Sequence, residues 1–160
     1  MKERFTYFSP IGPICIETGN DCIASVFFCE HEIVSEHFDP ELQNRITEQF
    51  DDYFAGYRFD FDLPLGPQGT KFQQKVWQEL ANIPYGQLMS YGELALKLGD
   101  KNLVRAVGGA NSKNPIAIIV PCHRVIGANN KLVGYAGGLW RKKWLLQHEL
   151  SNRPEEGRLW

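Results

Sequence analysis

The chain has 160 residues, of which 43% are hydrophobic and 22% charged, a composition typical of a globular protein with one compact domain or two small ones. No apolar run approaches the ~20 residues that a helix needs to cross a bilayer. The polar start of the chain lacks the apolar stretch of a secretory signal peptide. We therefore expect a cytoplasmic protein with no membrane association.

Charge is distributed unevenly along the chain. Residues 1–66 carry 4 Lys and Arg against 13 Asp and Glu, whereas residues 67–160 carry 13 against 6. A basic half beside an acidic half indicates that the second half binds a polyanion. Chance segregation of solvated charges is the alternative.

The four cysteines include no Cys-x-x-Cys pair, which argues against a zinc ribbon or a thioredoxin-type site. Three of them lie near two histidines, in the set Cys15, Cys22, Cys29, His31 and His37. Small core residues on strands explain these cysteines better than a metal site does. We predict no metal, and a cytoplasmic setting argues against disulfides.

The first half of the chain is predicted to be strands followed by one helix. Short β-favouring runs separated by Pro, Gly, Asn and Asp predict strands over residues 5–8, 14–17 and 23–29. Apolar residues that recur every four positions predict a helix from residue 40 to about residue 54, which Gly56 ends.

A Pro- and Gly-rich stretch over residues 60–69 predicts a linker. We therefore place a domain boundary between residues 1–66 and residues 67–160.

The second half is predicted to begin with helices. Thr70 with Gln73 and Ser90 with Glu93 fit two capping boxes, which mark helix starts. The second helix ends at Gly99, and a third is predicted over residues 103–110. Two short helices joined by a four-residue turn have helix-turn-helix proportions.

Three more elements are predicted after these helices. A β-branched run predicts a strand over residues 116–120. A Gly-rich loop over 127–138 and a final helix over 139–150 follow.

The predicted strand ends in Pro121-Cys122-His123-Arg124. A thiol is nucleophilic only as the thiolate, so its ordinary pKa of about 8.5 must be lowered by a nearby positive charge or assisted by a base. His123 and Arg124 are residue types that can do this. From these residues alone, a buried structural cysteine followed by a surface turn is the alternative.

The third predicted helix carries an unusual face. Arg105 is followed by Gly108 and Gly109, three and four residues later. Glycine inside a helix is unfavourable by about 1 kcal/mol relative to Ala, so close approach to another surface is expected in compensation. A nucleic-acid groove and a second helix of the same protein both fit this pattern.

Three polar residues have both an ordinary and a functional interpretation. Asn114 precedes a proline and is typical of a turn, or its amide braces the cysteine loop. Tyr135 is a loop aromatic whose hydroxyl can donate a proton to a leaving group. Glu149 is a solvated charge, unless the last helix packs behind His123 and the carboxylate orients the imidazole.

Several other chemistries are excluded. The chain has no Gly-x-Gly-x-x-Gly or Walker loop, no Gly-x-Ser-x-Gly elbow and no zinc deaminase pattern. No cofactor is therefore indicated.

Many short motifs occur in order over residues 69–149. They are Gly69-Thr70-x-Phe72-Gln73, Val76-Trp77, Ile83-Pro84-x-Gly86, Ser90-Tyr91, Arg105-Ala106-Val107-Gly108, Asn114-Pro115, Pro121-Cys122-His123-Arg124-Val125, Gly134-Tyr135-x-Gly137-Gly138 and Lys142-x-x-Leu145-Leu146-x-x-Glu149. On these motifs the chain resembles the O6-alkylguanine-DNA alkyltransferases, also called methylated-DNA–protein-cysteine methyltransferases.

The resemblance implies a catalytic role for five residues. Cys122 is the implied alkyl acceptor, and His123 is the implied base, acting through a water, with Glu149 orienting it. Tyr135 is implied to hydrogen-bond the flipped guanine and to help protonate it as it leaves. Asn114 is implied to stabilise the loop that carries the cysteine.

The resemblance also implies a DNA-binding surface. Arg105 is implied to fill the base stack that the damaged guanine leaves, and Tyr91 to press on the adjacent phosphate. The remaining residues placed at this surface are Ser90, Gly108, Gly109 and Arg124.

The implied fold is α+β, with a small N-terminal α/β domain of ribonuclease H-like architecture and a mainly helical winged helix-turn-helix domain. The implied partner is double-stranded DNA, bound by a monomer through the minor groove without sequence preference. The alkyl group passes from O6 of guanine, with O4 of thymine as a second potential target, to Cys122. Nothing in the chain suggests how the resulting thioether is cleaved, so we expect one turnover per molecule and no cofactor.

Three other classes of protein remain as alternatives. A non-catalytic sensor of alkylated DNA is the main one, but such relatives typically replace the acceptor cysteine, which is present here. A helix-turn-helix regulator needs a second DNA-binding module, for which 160 residues leave no room. A cysteine hydrolase turns over and needs an oxyanion hole, of which the sequence has no signature.

Overall fold

The computed structural model of the chain describes residues 3–31 and 38–153, so His37 of the cysteine and histidine set lies outside the described residues. The described helices and strands, in chain order, are β1 (Glu3–Ser9), β2 (Gly12–Gly19), β3 (Cys22–Phe28), α1 (Pro40–Phe54), α2 (Lys71–Ala81), β4 (Met89–Ser90), α3 (Tyr91–Lys97), α4 (Val104–Ser112), β5 (Val125–Ile126) and α5 (Leu139–Asn152). Among the described helices, none is long and apolar enough to cross a membrane.

The three predicted strands form an antiparallel sheet in the order β1-β2-β3. Asn20 and Asp21 connect β2 to β3 at φ values of 53° and 61°. This is the backbone that a two-residue hairpin turn requires, and Asn and Asp tolerate it better than most residues. Tyr7 of β1 stacks on Phe50 of α1, with ring centroids 5.3 Å apart. The sheet and α1 therefore share one core.

Helix α1 matches its prediction at both ends. Asp39 accepts a hydrogen bond from the Glu41 amide at 3.1 Å, and Pro40 occupies the first turn, where a missing N–H costs little. Its buried face includes Ile46 and Tyr53. The chain leaves the helix through Gly56 at a φ of +88°.

The predicted linker contains no regular helix or strand, but it packs against the sheet. The Ile23 amide donates to the Pro64 carbonyl at 2.8 Å, and the Gly66 amide donates to the Ile23 carbonyl at 2.9 Å. The segment therefore runs beside β3 rather than away from it. The domain boundary between residues 1–66 and 67–160 stays a prediction.

The helical half contains the predicted helix-turn-helix. Both hydrogen bonds of the Thr70 and Gln73 capping box form at the start of α2. Trp77 of α2 donates through Nε1 to the Ala110 carbonyl at 2.9 Å, which ties α2 to α4. Helix α3 leads to α4 through one 3-10 turn, Lys101–Leu103. At the start of α3, the Ser90 hydroxyl accepts from the Glu93 amide at 3.0 Å, the first half of the second predicted box.

The strand predicted over residues 116–120 is wrong. Ile116 makes only an isolated bridge with Val26, and the chain then turns, with the Val120 amide donating to the Ile116 carbonyl at 3.1 Å. Ile118 has a φ of +71°, which no strand contains. The apolar run is buried, as expected, but in a compact turn. Side-chain burial alone does not distinguish the two structures.

The two halves of the chain meet where this turn begins. The Val26 amide of β3 donates to the Pro115 carbonyl at 2.8 Å, and its carbonyl accepts from the Ala117 amide at 3.0 Å. The N-terminal sheet is thereby hydrogen-bonded directly to the segment that leads to Cys122.

Candidate active site

Cys122 is the first residue of a 3-10 turn, Cys122–Arg124. Pro121, at φ −81° and ψ 64°, forms the centre of an inverse γ-turn, in which the Cys122 amide donates to the Val120 carbonyl at 2.8 Å. The Cys122 side chain is 7% exposed. The rigid proline turn therefore fixes a thiol at a buried position.

The amide of Asn114 braces this turn. Its Nδ2 donates to the carbonyls of Val120 at 2.8 Å and Ile116 at 3.3 Å, and its Oδ1 accepts from the Ile116 amide at 3.0 Å. These are the bonds that a neighbouring strand would otherwise supply.

A cavity of about 680 Å³ opens at Cys122. It lies between β3, helices α3 and α4, and the Gly-rich loop, and its lining includes Ser25, Val26, Phe27, Phe28, Tyr91, Gly108, Asn114, Cys122, Gly134, Tyr135 and Gly137. A larger cavity of about 1030 Å³ borders Tyr85, Pro121 and Arg124 but not Cys122. The smaller cavity is therefore the candidate site. Sequence reasoning missed its β3 wall, which only the long-range pairing of the two halves creates.

The Cys122 thiol is protonated at neutral pH. Burial raises its pKa, and the neighbouring Asn114 amide and the charge of Lys142 only partly oppose this. The sequence suggested that His123 and Arg124 lower the pKa of this thiol. Both side chains instead bind the Glu149 carboxylate, and the neighbouring groups that oppose the rise in the thiol pKa are Asn114 and Lys142.

The Glu149 carboxylate is the centre of a buried cluster. It accepts from Arg124 Nε at 2.7 Å and Nη2 at 3.0 Å, from the Tyr53 hydroxyl at 2.6 Å, and lies 2.7 Å from His123 Nε2. Burial alone raises the pKa of Glu149, but His123 and Arg124 outweigh it and hold this pKa well below its usual range. Glu149 is therefore an anion. The last helix packs behind His123, which is the condition that the functional interpretation of Glu149 required.

His123 is buried and neutral. Burial lowers its pKa more than Glu149 raises it. The carboxylate at Nε2 favours the tautomer that carries its proton there, which leaves Nδ1 as the acceptor. Within the described part of the chain, Nδ1 has no hydrogen-bond partner.

Arg124 does not lie on the predicted DNA-binding surface, which is a correction. Its side chain is 6% exposed, and Nη1 donates to the Ile83 carbonyl at 2.6 Å while the other nitrogens bind Glu149. The 3-10 turn directs Arg124 into the core. There it pairs with the Glu149 carboxylate, which would destabilise the fold if it were buried without a positive partner. Arg124 therefore holds Glu149 rather than a phosphate.

Lys142 was not singled out as a site residue by sequence reasoning. It is fully buried, and its Nζ donates to the carbonyls of Val133 at 2.8 Å and Gly134 at 3.4 Å. Burial lowers its pKa, while the neighbouring Cys122 raises it. The sequence carried a signal for it, because Lys142 shares a helix face with Leu145 and Glu149 at spacings of three and seven.

Two tyrosines form walls of the cavity. The Tyr135 hydroxyl is buried and has no hydrogen-bond partner among the described residues. Burial and the neighbouring Cys122 raise the pKa of Tyr135 well above its ordinary value, so it keeps its proton. The Tyr91 hydroxyl accepts from Asn111 Nδ2 at 3.3 Å, and burial also raises its pKa.

Helix α4 carries three of the other predicted residues, Arg105, Gly108 and Gly109. Arg105 is exposed. A Cβ added at Gly109 meets no described atom within 4 Å, and one at Gly108 only approaches the Tyr91 ring at 4.0 Å. Packing inside the protein therefore does not explain these glycines, which disfavours the helix-packing interpretation. Ser90 caps α3, and its hydroxyl proton is still available to a further acceptor.

The remaining cysteines lie in the N-terminal sheet or directly after it. Cys15 is buried in β2, Cys22 begins β3 and Cys29 follows β3. Over residues 3–31 and 38–153, no three His, Cys, Asp or Glu side chains cluster as a metal site requires.

Comparisons with known proteins cover nearly the whole chain. The family model described as "6-O-methylguanine DNA methyltransferase, ribonuclease-like domain" matches residues 4–67, and the corresponding "DNA binding domain" matches residues 71–151. The Mycobacterium tuberculosis methylated-DNA–protein-cysteine methyltransferase is 46% identical over 160 residues, covering 98% of this chain and 97% of that protein. The Methanosarcina acetivorans protein of the same name is 47% identical over 148 residues, covering 89% and 95%.

Solved structures agree with these matches. The crystal structure of Mycobacterium tuberculosis O6-methylguanine methyltransferase superposes with a TM-score of 0.84 at 42% identity, covering 98% of this chain and 97% of that one. A structure of Mycobacterium tuberculosis OGT in complex with DNA gives a TM-score of 0.82 at 46% identity, covering 94% of each chain. The α+β fold predicted from the motifs is confirmed. The chain therefore belongs to the 6-O-methylguanine DNA methyltransferase family, whose members are also called methylated-DNA–protein-cysteine methyltransferases.

Proposed function

We propose that the chain repairs DNA by transferring an alkyl group, typically methyl, from O6 of guanine directly to Cys122. The observation that carries this proposal is a buried thiol at a cavity bounded by two tyrosines, beside an exposed helix that bears Arg105 and two glycines. An alkyl group on O6 is hidden inside the duplex, so the damaged nucleotide must turn out of the stack to reach such a thiol. The cost of unstacking is a few kcal/mol, which the DNA contacts offset.

The raised pKa of Cys122 explains why a base is needed. His123 is neutral, and its acceptor nitrogen, Nδ1, has no hydrogen-bond partner among the residues that the structure describes, which supports its role as the base, acting through a water. Glu149 fixes the ring and stabilises the imidazolium that forms, as the carboxylate does in other acid–base triads. The thiol proton passes to His123, and the thiolate attacks the alkyl carbon.

The attack on the alkyl carbon forms one bond and breaks one bond. The carbon–sulfur bond forms while the bond from carbon to O6 breaks, and its electron pair remains on the guanine. The Tyr135 hydroxyl lines the same cavity, keeps its proton and has no hydrogen-bond partner among the described residues, which supports a role in hydrogen-bonding this developing anion and helping to protonate it. The products are unmodified guanine in DNA and an S-alkylcysteine. A thioether is stable, so each molecule acts once and requires no cofactor.

We infer that α4 enters the minor groove, with Arg105 occupying the space of the extruded base and Tyr91 acting on the neighbouring phosphate. The open surface at Gly109 supports this, because the glycine then permits approach of a surface outside the protein. Ser90 and Gly108 lie on the same side, next to Tyr91. Binding through phosphates implies little sequence preference and strong salt dependence. A single site on one chain is sufficient, so we propose a monomer.

We also propose that residues 1–66 and 67–160 form two units, with the first supporting the second. The direct hydrogen bonds of β3 to the segment before Cys122 support this arrangement. The reaction needs a reduced thiol, which supports a cytoplasmic location.

The fate of the DNA tests the proposal. Duplex DNA with one O6-methylguanine is incubated with an excess and then a deficit of protein, and the nucleosides are quantified after digestion. With excess protein we expect all O6-methylguanine to be replaced by guanine, and with a deficit of protein an amount equal to the protein present, without strand cleavage in either case. Binding of the modified DNA without loss of O6-methylguanine would instead support a damage sensor, and catalytic turnover would contradict the single-use mechanism.

A further inference from the structure

The guanidinium of Arg141, on α5, joins three separate parts of the molecule. Its Nε donates to the Ile11 carbonyl in the β1–β2 turn at 2.7 Å, and its Nη1 donates to the Gly137 carbonyl in the Gly-rich loop at 3.0 Å. Its charge also lies 4.5 Å from the centre of the Phe28 ring at the end of β3, and 4.6 Å from that of Trp140. One cation thus links the N-terminal sheet to the loop that carries Tyr135.

Phe28 completes this link by packing on the same loop. Its ring meets the Tyr135 ring edge-on, with centroids 6.3 Å apart. A Cβ added at Gly137 would lie only 2.6 Å from Phe28 Cδ2 and 3.0 Å from Tyr135 Cε2. Gly137 therefore has to be glycine because two rings close on its backbone. Phe28 and Tyr135 are both walls of the cavity at Cys122.

The position of the Tyr135 hydroxyl depends on this packing. Within the described residues the hydroxyl has no hydrogen bond of its own that could hold it. Lys142 binds the carbonyls before Tyr135, and Arg141 binds the carbonyl after it. A hydrogen bond from Tyr135 to a leaving guanine is effective only within a few tenths of an ångström of the right position.

We propose that Arg141 is a positioning residue for the alkyl transfer, which acts through Tyr135 by clamping the Gly137 carbonyl and the Phe28 ring to the N-terminal sheet. The inference rests on the transfer reaction proposed above and assigns the N-terminal sheet a part in it. In this role the sheet is more than a scaffold, because its contacts with Arg141 and the Gly-rich loop help to align the Tyr135 hydroxyl. Loss of the clamp slows the transfer without removing the thiol, the base or the DNA-binding helix.

A double-mutant cycle tests this role, with the single-turnover rate of methyl transfer from duplex DNA as the readout. We expect Arg141→Met to slow transfer by about tenfold to 100-fold, because a displacement of about 1 Å is known to cost about that much. Tyr135→Phe should be slowed by about 100-fold, the usual contribution of a proton donor. The Arg141→Met change should then have little further effect in the Tyr135→Phe background. Lys143→Met, at an exposed position of the same helix, is the matched control and should transfer at the wild-type rate.

Folding is monitored by thermal unfolding of every variant. If Arg141→Met does not fold, Arg141→Lys replaces it, because lysine keeps the charge but loses the two-pronged hydrogen bonding. A wild-type rate of transfer in the folded Arg141 variant would overturn the inference. An Arg141 substitution that slows transfer equally with and without the Tyr135 hydroxyl would also overturn it, and both results leave the proposed function intact. A wild-type protein that does not transfer methyl would instead contradict the proposed function itself, and this inference with it.

Discussion

Replacement of Glu149 by Gln is expected to destabilise the folded chain strongly. The carboxylate accepts hydrogen bonds from Arg124, Tyr53 and His123, and the first of these carries a full positive charge in a site that is 1% exposed on the carboxylate side. Glutamine has nearly the same volume, so packing is preserved. Only the negative charge and part of the acceptor capacity are lost, and Arg124 becomes a buried cation without a counter-ion.

The magnitude follows from the burial of this pair. Removing one partner of a buried ion pair costs about 3–5 kcal/mol. Because the amide oxygen of Gln can still accept one or two of these bonds, we expect the lower end of this range, about 3 kcal/mol. For a protein of this size that corresponds to a fall in Tm of about 6–12 °C.

The assay is urea unfolding at pH 7 and at lower pH, with Glu48→Gln as the matched control, because Glu48 is an exposed carboxylate on α1. Against the effect of burial, His123 and Arg124 hold the pKa of Glu149 below its ordinary 4.5, so its stabilising effect is present above pH 4.5 and is lost as the pH falls further. Burial likewise lowers the pKa of His123 below 6.5, so the wild type already loses stability below that pH. The difference between wild type and Glu149→Gln should therefore shrink below pH 4.5.

A Glu149→Gln variant as stable at pH 7 as Glu48→Gln would refute this reasoning. So would a difference from wild type that grows on acidification, because the carboxylate would then not be ionised in the folded state.

Asn114→Ala removes three hydrogen bonds from the cysteine loop, so we expect a loss of about 2–3 kcal/mol in urea unfolding and slower alkylation of Cys122 by iodoacetamide; unchanged values of both would show that the loop is held by other contacts. Gly109→Ala should raise stability by up to about 1 kcal/mol, because its Cβ enters open space, yet weaken binding to duplex DNA measured by fluorescence anisotropy; tighter binding would contradict the docking of α4. Arg105→Gln should slow methyl transfer while the Tm stays close to that of the wild type, and an unchanged rate would exclude Arg105 from base extrusion. The rate of Cys122 alkylation by iodoacetamide should keep rising above pH 9, because burial raises the thiol pKa, whereas a plateau near neutral pH would indicate a preformed thiolate.

The elements predicted correctly are those with local signals. The α2 start was readable from Thr70 and Gln73, and α1 from its apolar period and Pro40, because a cap or a helical face involves residues only three or four positions apart. The strand prediction over residues 116–120 is wrong because the local sequence does not contain the information that decides between a strand and a turn. Its β-branched residues show that the run is buried, but the partner that decides between strand and turn, Asn114, acts through a side chain.

The sequence motif predicts the central residues of the candidate site, but it does not predict the residues that hold Glu149 in place. Cys122, His123 and Glu149 stand in a recognisable pattern, and the structure brings the last two together. The resemblance places Arg124 on the DNA-binding surface, but the direction of its side chain depends on a 3-10 turn that no sequence period indicates. Tyr53 reaches Glu149 across 96 positions of the chain, a contact that only the folded core creates.

Peptide mass spectrometry after reaction with O6-methylguanine in duplex DNA tests the central claim most directly. We predict one methyl group per protein, on the peptide that contains Cys122, with no label in Cys122→Ser and full label in Cys15→Ser. Methyl groups on several cysteines, or transfer that persists in Cys122→Ser, would contradict it.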